Sequence, residues 1–566
     1  MGLWAVTKRS LFFFSTVINS DRKREKIALI DTRNRLQHNI QEKYCIMSPY
    51  TRKSAWACRL ALVLGLLLLF FAKETNANES WVEKDGPSVL GNGNLRSSNN
   101  ADLSSKSEKI PSWEEIDALP LAPWYDEAKF GIFLHWSAFS VPALCSEWFE
   151  EYWRSESGPC GAKLAEIVNA TERPGFSYQE YASRFKAELY NATDWSKLFA
   201  EAGAQYVVLT SKHHDGYCMW DSSDVPTTWQ WNVMDVGPRR DLLGELASAV
   251  RAVNSPQTSR KLKFGVYHSM YEWFNPLYMK DRENKFQTND FVTMKTLAEL
   301  RDLTLKYQPE VIWSDGDWEA PSDYWQSREF LKWYSERVPT GVWNDRFGND
   351  SLCKHGSFFT CADHYVPGHL VTKKWENAMP IDKGSWGYNR MASLEEYLST
   401  KELIHSLIET VAFNGNLLLN VGPSADGTIS PIFADRLMGI GRWLSVNGAA
   451  IYQTQPWKVC QKEEAFGVYY TRADERLYAH ITKWPSGSKL SLKCLEVNGQ
   501  KEMKMLGTSK PVKFEVSPGN GTLVHLPQLT PDVIPCEHAW VLEVISVSLN
   551  ANLKTNGSAR TEEKEQ

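Results

Sequence analysis

The stretch Val311 to Glu319, VIWSDGDWE, sets three carboxyl groups directly behind a short apolar run. Val311, Ile312 and Trp313 read as a buried strand, and Ser314, Asp315 and Gly316 end it. A parallel α/β barrel carries its reacting groups at the C-terminal ends of its strands, which makes Asp315 a candidate for covalent or acid–base chemistry. Asp317 and Glu319 compete for that place. In an extended stretch all three share one face, whereas Gly316 favours a turn, and an acidic loop that merely caps a strand would carry the same letters. Other strand ends carry histidine: His135 after FGIFL, His213 and His214 after YVVLTSK, and His268 after FGVY. Four of the chain's 12 histidines at the same end of successive strands point to one shared site. Zinc is conceivable there, but no spacing matches a zinc pattern. Neutral imidazoles bonding to hydroxyl groups fit better. Trp136, Trp148, Trp313 and Trp386 stand in the same motifs, and aromatic faces stack on the apolar faces of sugar rings. The group therefore reads as a sugar pocket without a metal.

Such a site needs strands that alternate with helices. Apolar runs at 130–136, 206–209, 264–268, 311–313, 342–344 and 417–421 supply the strands. Helices are predicted at 193–204, with Thr193 or Asp194 as cap, at 242–253, at 291–307, and from a Ser393–Glu396 capping box to about residue 412. The alternation predicts an α/β fold, a (β/α)8-like parallel barrel over 113–455. Beyond it, segments 465–470, 477–482, 489–495, 511–516 and 540–547 are short, alternating or β-branched, and separated by Gly, Pro and Asn. They predict an antiparallel β-sandwich over 456–548, followed by a disordered polar tail over 549–566.

Composition narrows the class. Of 566 residues, 43% are hydrophobic and 23% charged, so the bulk is globular. A net charge of −5 gives no reason to expect nucleic acid as a partner. The apolar run 60–72 follows Arg52, Lys53 and Arg59 and precedes Thr75-Asn76-Ala77, the pattern of a secretory signal peptide. The run is short for a bilayer span. Cleavage near Ala77 would leave no stable membrane anchor. Residues 1–77 thus read as an extension plus signal, and 78–112, rich in Ser, Asn and Gly, as a flexible lead-in. Six glycosylation triplets, at Asn78, Asn169, Asn191, Asn349, Asn520 and Asn556, agree with secretion. Eight cysteines remain beyond the signal and suit disulfides, with Cys145–Cys160 and Cys353–Cys361 close enough to be local pairs.

Longer motifs carry a resemblance. WYDEAKFGIFLHW at 124–136, FSVP at 139–142, SEWF at 146–149, YVVLTSKHHDGYCMWDS at 206–222 and WSDGDWE at 313–319 resemble the α-L-fucosidases of glycoside hydrolase family 29. So do SWGY at 385–388, NGNLLLNVGPSADGTI at 414–429 and NGAAIYQTQPW at 447–457. The resemblance implies a retaining exo-glycosidase that removes terminal α-L-fucose from glycans through a covalent fucosyl-enzyme, with no cofactor. Asp315 matches the family nucleophile. For the acid/base, Glu376 in KKWEN matches one assigned position and Asp363 in TCADHY another; Glu376 is favoured on the reach of its side chain. His135, Glu147, Trp148, His213, His214, His268, Trp313 and Trp386 match fucose-binding positions. Ser137 departs from the glycine usual after HW. The resemblance further implies fucosylated glycans as partners, homo-oligomers as in relatives, and a secretory-pathway location, lysosomal or extracellular. A fucose-binding protein that has lost turnover is the alternative, and it would be marked by a missing carboxyl group.

Overall fold

The computed structural model describes residues 109–496, 502–509 and 511–545. The expected signal segment, nearly all of the lead-in, the 549–566 tail and the triplets at Asn78 and Asn556 lie outside the described residues.

Seven strands make one parallel sheet: β1 (Phe130–Leu134), β2 (Tyr206–Lys212), β3 (Lys263–Ser269), β4 (Val311–Asp315), β5 (Val342–Trp343), β6 (Trp375–Pro380) and β7 (Gly415–Val421). Their spatial order is β5-β4-β3-β2-β1-β7-β6. Chain order thus follows spatial order from β1 to β5, as consecutive crossover units dictate. Between β5 and β6 stands a rudimentary eighth rung. The amides of Ser357 and Phe358 donate to the Trp343 carbonyl at 3.0 and 3.3 Å, and Phe359 exchanges bonds with Lys374 and Glu376 at 2.9 and 2.8 Å. The (β/α)8-like barrel is therefore present, with its eighth position reduced to three residues.

Helix boundaries moved where polar caps compete. Asn191, ahead of both expected caps, accepts the amides of Thr193 and Asp194 and opens the helix Ala192–Glu201. The Ser393–Glu396 capping box forms, but it opens only a single 3-10 turn; the helix Thr400–Ala412 has its own box at Ser399 and Glu402. β6 had no signal in the sequence. Its letters, WENAMP, include no β-branched residue, a charge at the second position and a proline at the end.

Residues two apart on a strand share a face, and the inward faces stack in layers. Tyr206, Val208, Phe133, Tyr267, Val311, Trp313, Phe358 and Ala378 form the barrel interior, with Tyr125 packed among them. Gly131 makes room at the N-terminal layer: a Cβ there would lie 2.5 Å from the Tyr206 ring. One layer above Phe133 and Trp313, the same inward phase brings His135 and Asp315 to the C-terminal rim.

The C-terminal residues build two antiparallel sheets. One has the order β13 (Glu502–Met505), β16 (Trp540–Ile545), β11 (Arg476–Ile481), β10 (Val468–Ala473), β8 (Gln455–Pro456), with β9 (Lys462–Glu463) also on β10; the other is β12 (Lys489–Leu492), β15 (Gly521–His525), β14 (Lys513–Ser517). Val468, Tyr470, Leu490, Val524, Leu542 and Val544 fill a common core, which makes a sandwich. It docks on the barrel helices through Trp443, whose indole donates to the Ala539 carbonyl at 2.9 Å. Cys145–Cys160, Cys353–Cys361 and Cys460–Cys494 are bonded, whereas Cys218 and Cys536 are free, so six of the eight cysteines pair. Asn169, Asn191, Asn349 and Asn520 are all exposed. Among the described residues, no helix is long and apolar enough to cross a membrane.

Candidate active site

Asp315 closes β4 and reaches a cavity of about 420 Å³, counted out to its mouth, at the C-terminal end of the barrel. Phe133, His135, Glu147, Trp148, His213, Tyr267, Trp313, Trp318, Arg346, Asp363 and Trp386 complete the lining. The three clustered carboxylates have different partners. Asp317 turns away to accept the Gly348 amide at 2.8 Å, and Glu319 accepts the Tyr278 hydroxyl at 2.7 Å.

Both oxygens of Asp315 are held. Oδ2 accepts the Tyr267 hydroxyl at 2.7 Å, and Oδ1 accepts Nη1 of Arg346 at 2.9 Å. Burial works to raise its pKa, but the Arg346 guanidinium and these hydrogen bonds outweigh it, and the carboxyl stays below its ordinary range. The group is thus anionic at neutral and weakly acidic pH. The other terminal nitrogen of Arg346 donates to Asp363 Oδ1 at 2.7 Å. One guanidinium therefore spans two carboxyl groups at the cavity, Asp315 with its side chain 11% exposed and Asp363 with its own 47% exposed.

The histidines divide. Nδ1–H of His135 donates to Asn420 Oδ1 at 2.8 Å, leaving Nε2 to accept. Ser269 Oγ donates to the Tyr271 carbonyl, so it must accept from Nδ1–H of His214 at 2.7 Å. That fixes the tautomer of His214 and leaves its Nε2 a bare acceptor 3.5 Å from Asp315. Burial lowers both rings to about 4, so they are neutral. His213 lies nearly parallel to the Tyr267 ring, 5.7 Å between centroids, with Nδ1 unpartnered. Glu147 accepts the amides of Trp386 and Gly387 at 2.9 and 3.0 Å, which holds the Trp386 indole 5.2 Å from His135. Trp148 packs edge-on against His214. Ser137 has an extended backbone, φ −170°, so the departure from glycine carries no strain.

His214 stands beside Asp315 without lining the cavity, and two expected residues are elsewhere. His268 follows the inward-facing Tyr267 and so points outward, where Nδ1 meets Ser211 Oγ at 3.0 Å and Nε2 lies 3.5 Å from Glu299. It belongs to a buried cluster in which Lys212 and Lys295 bind Glu299 at 2.6 and 2.8 Å. Glu376 does not line the cavity either. It is the second residue of β6, level with Asn416 at the start of β7, and is 0% exposed at the N-terminal end of the barrel interior. Its carboxyl accepts the Tyr125 and Tyr206 hydroxyls, both at 2.6 Å, and the Trp313 indole at 2.9 Å. Trp313, which lines the cavity, separates it from that space. Reach of the side chain counts for nothing when the strand carrying it starts at the wrong end. Tyr267 and Arg346 escaped the sequence reading. The alternation along β3 was the available signal for the tyrosine, since a residue in phase with Gly265 and Ser269 must face inward. For Arg346 there was none, because a loop sets it.

Burial raises the pKa of Glu376, the three hydrogen bonds pull it back, and it settles at about 7. An acid raised above its unfolded value holds a proton in the folded state that the unfolded chain has released. Its stabilising contribution is full below about pH 4.5 and is lost as pH rises through 7. Glu376→Gln cannot titrate. The difference in melting temperature between wild type and this variant should narrow as pH rises from 5 to 8, by the equivalent of about 3 kcal/mol at most. A constant difference across that range in thermal melts contradicts the assignment.

Known proteins resemble this chain over both of its folded parts. The profile of the alpha-L-fucosidase family matches residues 97–449, and that of the alpha-L-fucosidase C-terminal domain matches 461–545. The chain is 45% identical over 440 residues to an alpha-L-fucosidase of Branchiostoma floridae, spanning 77% of this chain and 96% of that protein. It is 45% identical to human plasma alpha-L-fucosidase over 77% of this chain and 92% of the relative, and 43% identical to human tissue alpha-L-fucosidase over the same shares. The crystal structure of Thermotoga maritima alpha-fucosidase in complex with a mechanism-based inhibitor superposes with a TM-score of 0.66 at 31% identity, covering 78% of this chain and all of that one. With its barrel and its C-terminal sandwich both matched, the chain belongs to the α-L-fucosidase family.

Proposed function

We propose that the cavity hydrolyses terminal α-L-fucosides with retention, Asp315 acting as nucleophile and Asp363 as acid/base. The observation that carries this reading is the bridge of Arg346 between an anionic, buried carboxylate and a second, half-exposed carboxyl group at one cavity. Retaining enzymes use two carboxyls close together, about 5–5.5 Å apart, rather than a pair spread to admit a water. In the first step a lone pair on Asp315 forms a bond to the anomeric carbon. The glycosidic C–O bond breaks, and Asp363 gives its proton to the departing oxygen. In the second step Asp363 takes a proton from water, whose oxygen attacks the same carbon and frees Asp315. Two inversions give net retention.

The neutral imidazoles of His135, His213 and His214 suit the sugar hydroxyls, because each offers a lone pair or an N–H without an ionic charge to desolvate. Trp313 and Trp386 offer faces to the ring and its methyl group. The methyl contributes only about 1–3 kcal/mol of discrimination, so the hydroxyl contacts must carry most of it. Three disulfides and four exposed glycosylation triplets support work in the secretory pathway, in a lysosome or outside the cell, on fucosylated glycans.

The full chain, expressed through a secretory pathway, should release 4-nitrophenol from its α-L-fucoside at least 100-fold faster than from the β-D-galactoside, in line with a site built to bond specific hydroxyls. Equal rates on both would refute the substrate assignment. Binding of free fucose by calorimetry with no release would instead favour a lectin.

A further inference from the structure

We propose that Asp345 and the Cys353–Cys361 disulfide are a positioning device for the acid/base, holding the loop that presents Arg346 and Asp363; this rests on the reading of Asp363 given above. The chain leaves β5 at Trp343, passes Asp345 and Arg346, and returns as Thr360 and Cys361, 15 and 16 residues after Asp345, and then Asp363. The short rung at 357–359 and the His364 amide, which donates to the Ala378 carbonyl at 3.0 Å, tie the returning segment to the barrel from one side. The fully buried carboxylate of Asp345 holds it from within. Oδ1 accepts the Thr360 amide at 2.9 Å and its hydroxyl at 2.6 Å, while Oδ2 accepts the amides of Cys353 and Cys361 at 2.8 and 3.1 Å. All four donors lie on the returning segment or on the two half-cystines that close it.

The bonds continue into the site. Thr360 Oγ1, having donated to Asp345, accepts Nε of Arg346 at 3.1 Å, and the other two nitrogens of that guanidinium take Asp315 and Asp363. Asp345 therefore reaches both carboxyl groups through two hydrogen-bonded side chains. The backbone bears the mark of this constraint. Cys353, Cys361 and His364 all have positive φ, at 60°, 50° and 55°, in a region that L-residues occupy only when their surroundings impose it. A buried carboxylate satisfied by four donors, with no cation among the described residues bound to it, is otherwise an expensive thing to keep. Its partners show that it orders this loop. Asn at 345 would turn an NH2 group toward donors and break two of the four bonds.

The test compares leaving groups. Wild type, Asp345→Asn, Thr360→Val, the Cys353→Ser/Cys361→Ser double variant and Asp363→Ala are assayed on an aryl fucoside with a good leaving group and on methyl α-L-fucoside, which needs a proton. Fucose affinity is measured alongside by calorimetry. A displaced acid should depress kcat/KM on the methyl fucoside by about 10²-fold more than on the aryl fucoside. The affinity for fucose should stay within threefold of wild type. Thr360→Val removes a single hydroxyl and keeps the disulfide, so it reports even where the cysteine variant fails to fold. Equal losses on both substrates for Thr360→Val and Asp345→Asn, with the split present in Asp363→Ala, overturn the positioning role alone. Absence of the split in Asp363→Ala overturns the reading of Asp363 instead.

Discussion

Replacing Asp315 with alanine lowers turnover of an aryl α-L-fucoside by something on the order of 10⁴–10⁶-fold, the scale seen when a covalent catalyst loses its nucleophile. The fold is expected to survive. Asp315 ends its strand at a cavity, so no packed side chain collapses into the gap, and Tyr267 and Arg346 remain in reach of solvent or of Asp363. The loss would be chemical, and it can be reversed chemically. Azide is small enough to enter the vacated space and attack the anomeric carbon from the side Asp315 would have used. It should restore part of the rate and yield fucosyl azide of inverted configuration. Wild-type activity in the alanine variant, or a rescued azide of retained configuration, eliminates Asp315 as the nucleophile.

The second large effect separates Asp363 from Glu376. Asp363→Ala should leave an activated aryl fucoside nearly as reactive in the glycosylation step while slowing an alkyl fucoside by about 10²–10⁴-fold, because only the poor leaving group needs a proton. Glu376→Ala should behave differently. It strips the Tyr125 and Tyr206 hydroxyls and the Trp313 indole of their shared acceptor. The unpaired groups would cost several kcal/mol of stability, and whatever activity remains should fall alike on both substrates as the Trp313 wall shifts. A pKa near 7 is what a catalytic acid wants, and by that criterion Glu376 would be chosen. Geometry overrules it, since a proton locked between two phenols and an indole at the far end of the barrel has no path to a glycosidic oxygen. A leaving-group split in Glu376→Ala and none in Asp363→Ala reverses this assignment.

Much of the barrel was legible because its strands are buried on both faces and read as continuous apolar runs, as β1, β2, β4 and β7 do. Asp315, His135, His213 and His214 could be placed near the C-terminal ends of strands by the same token, since each follows such a run. What failed did so for local reasons. β6 is a strand by tertiary imposition, its edges paired with β7 and with Phe359, and its polar letters hid the fact that Glu376 lies within a strand instead of on a loop. His268 sits at a strand end like the others, but one residue out of phase, and a period of two sends it to the helices. Arg346 and Asp363 meet only because a loop folds back and is bonded shut, a long-range event without periodicity.

The most direct test follows the anomeric proton of newly released fucose by NMR during hydrolysis of 4-nitrophenyl α-L-fucoside, before mutarotation scrambles it. The two-step use of Asp315 and Asp363 predicts α-L-fucose as the first product, with the β-anomer appearing only as the solution equilibrates. β-L-Fucose as the first product would mean a single displacement by water, and the covalent role of Asp315 would be wrong.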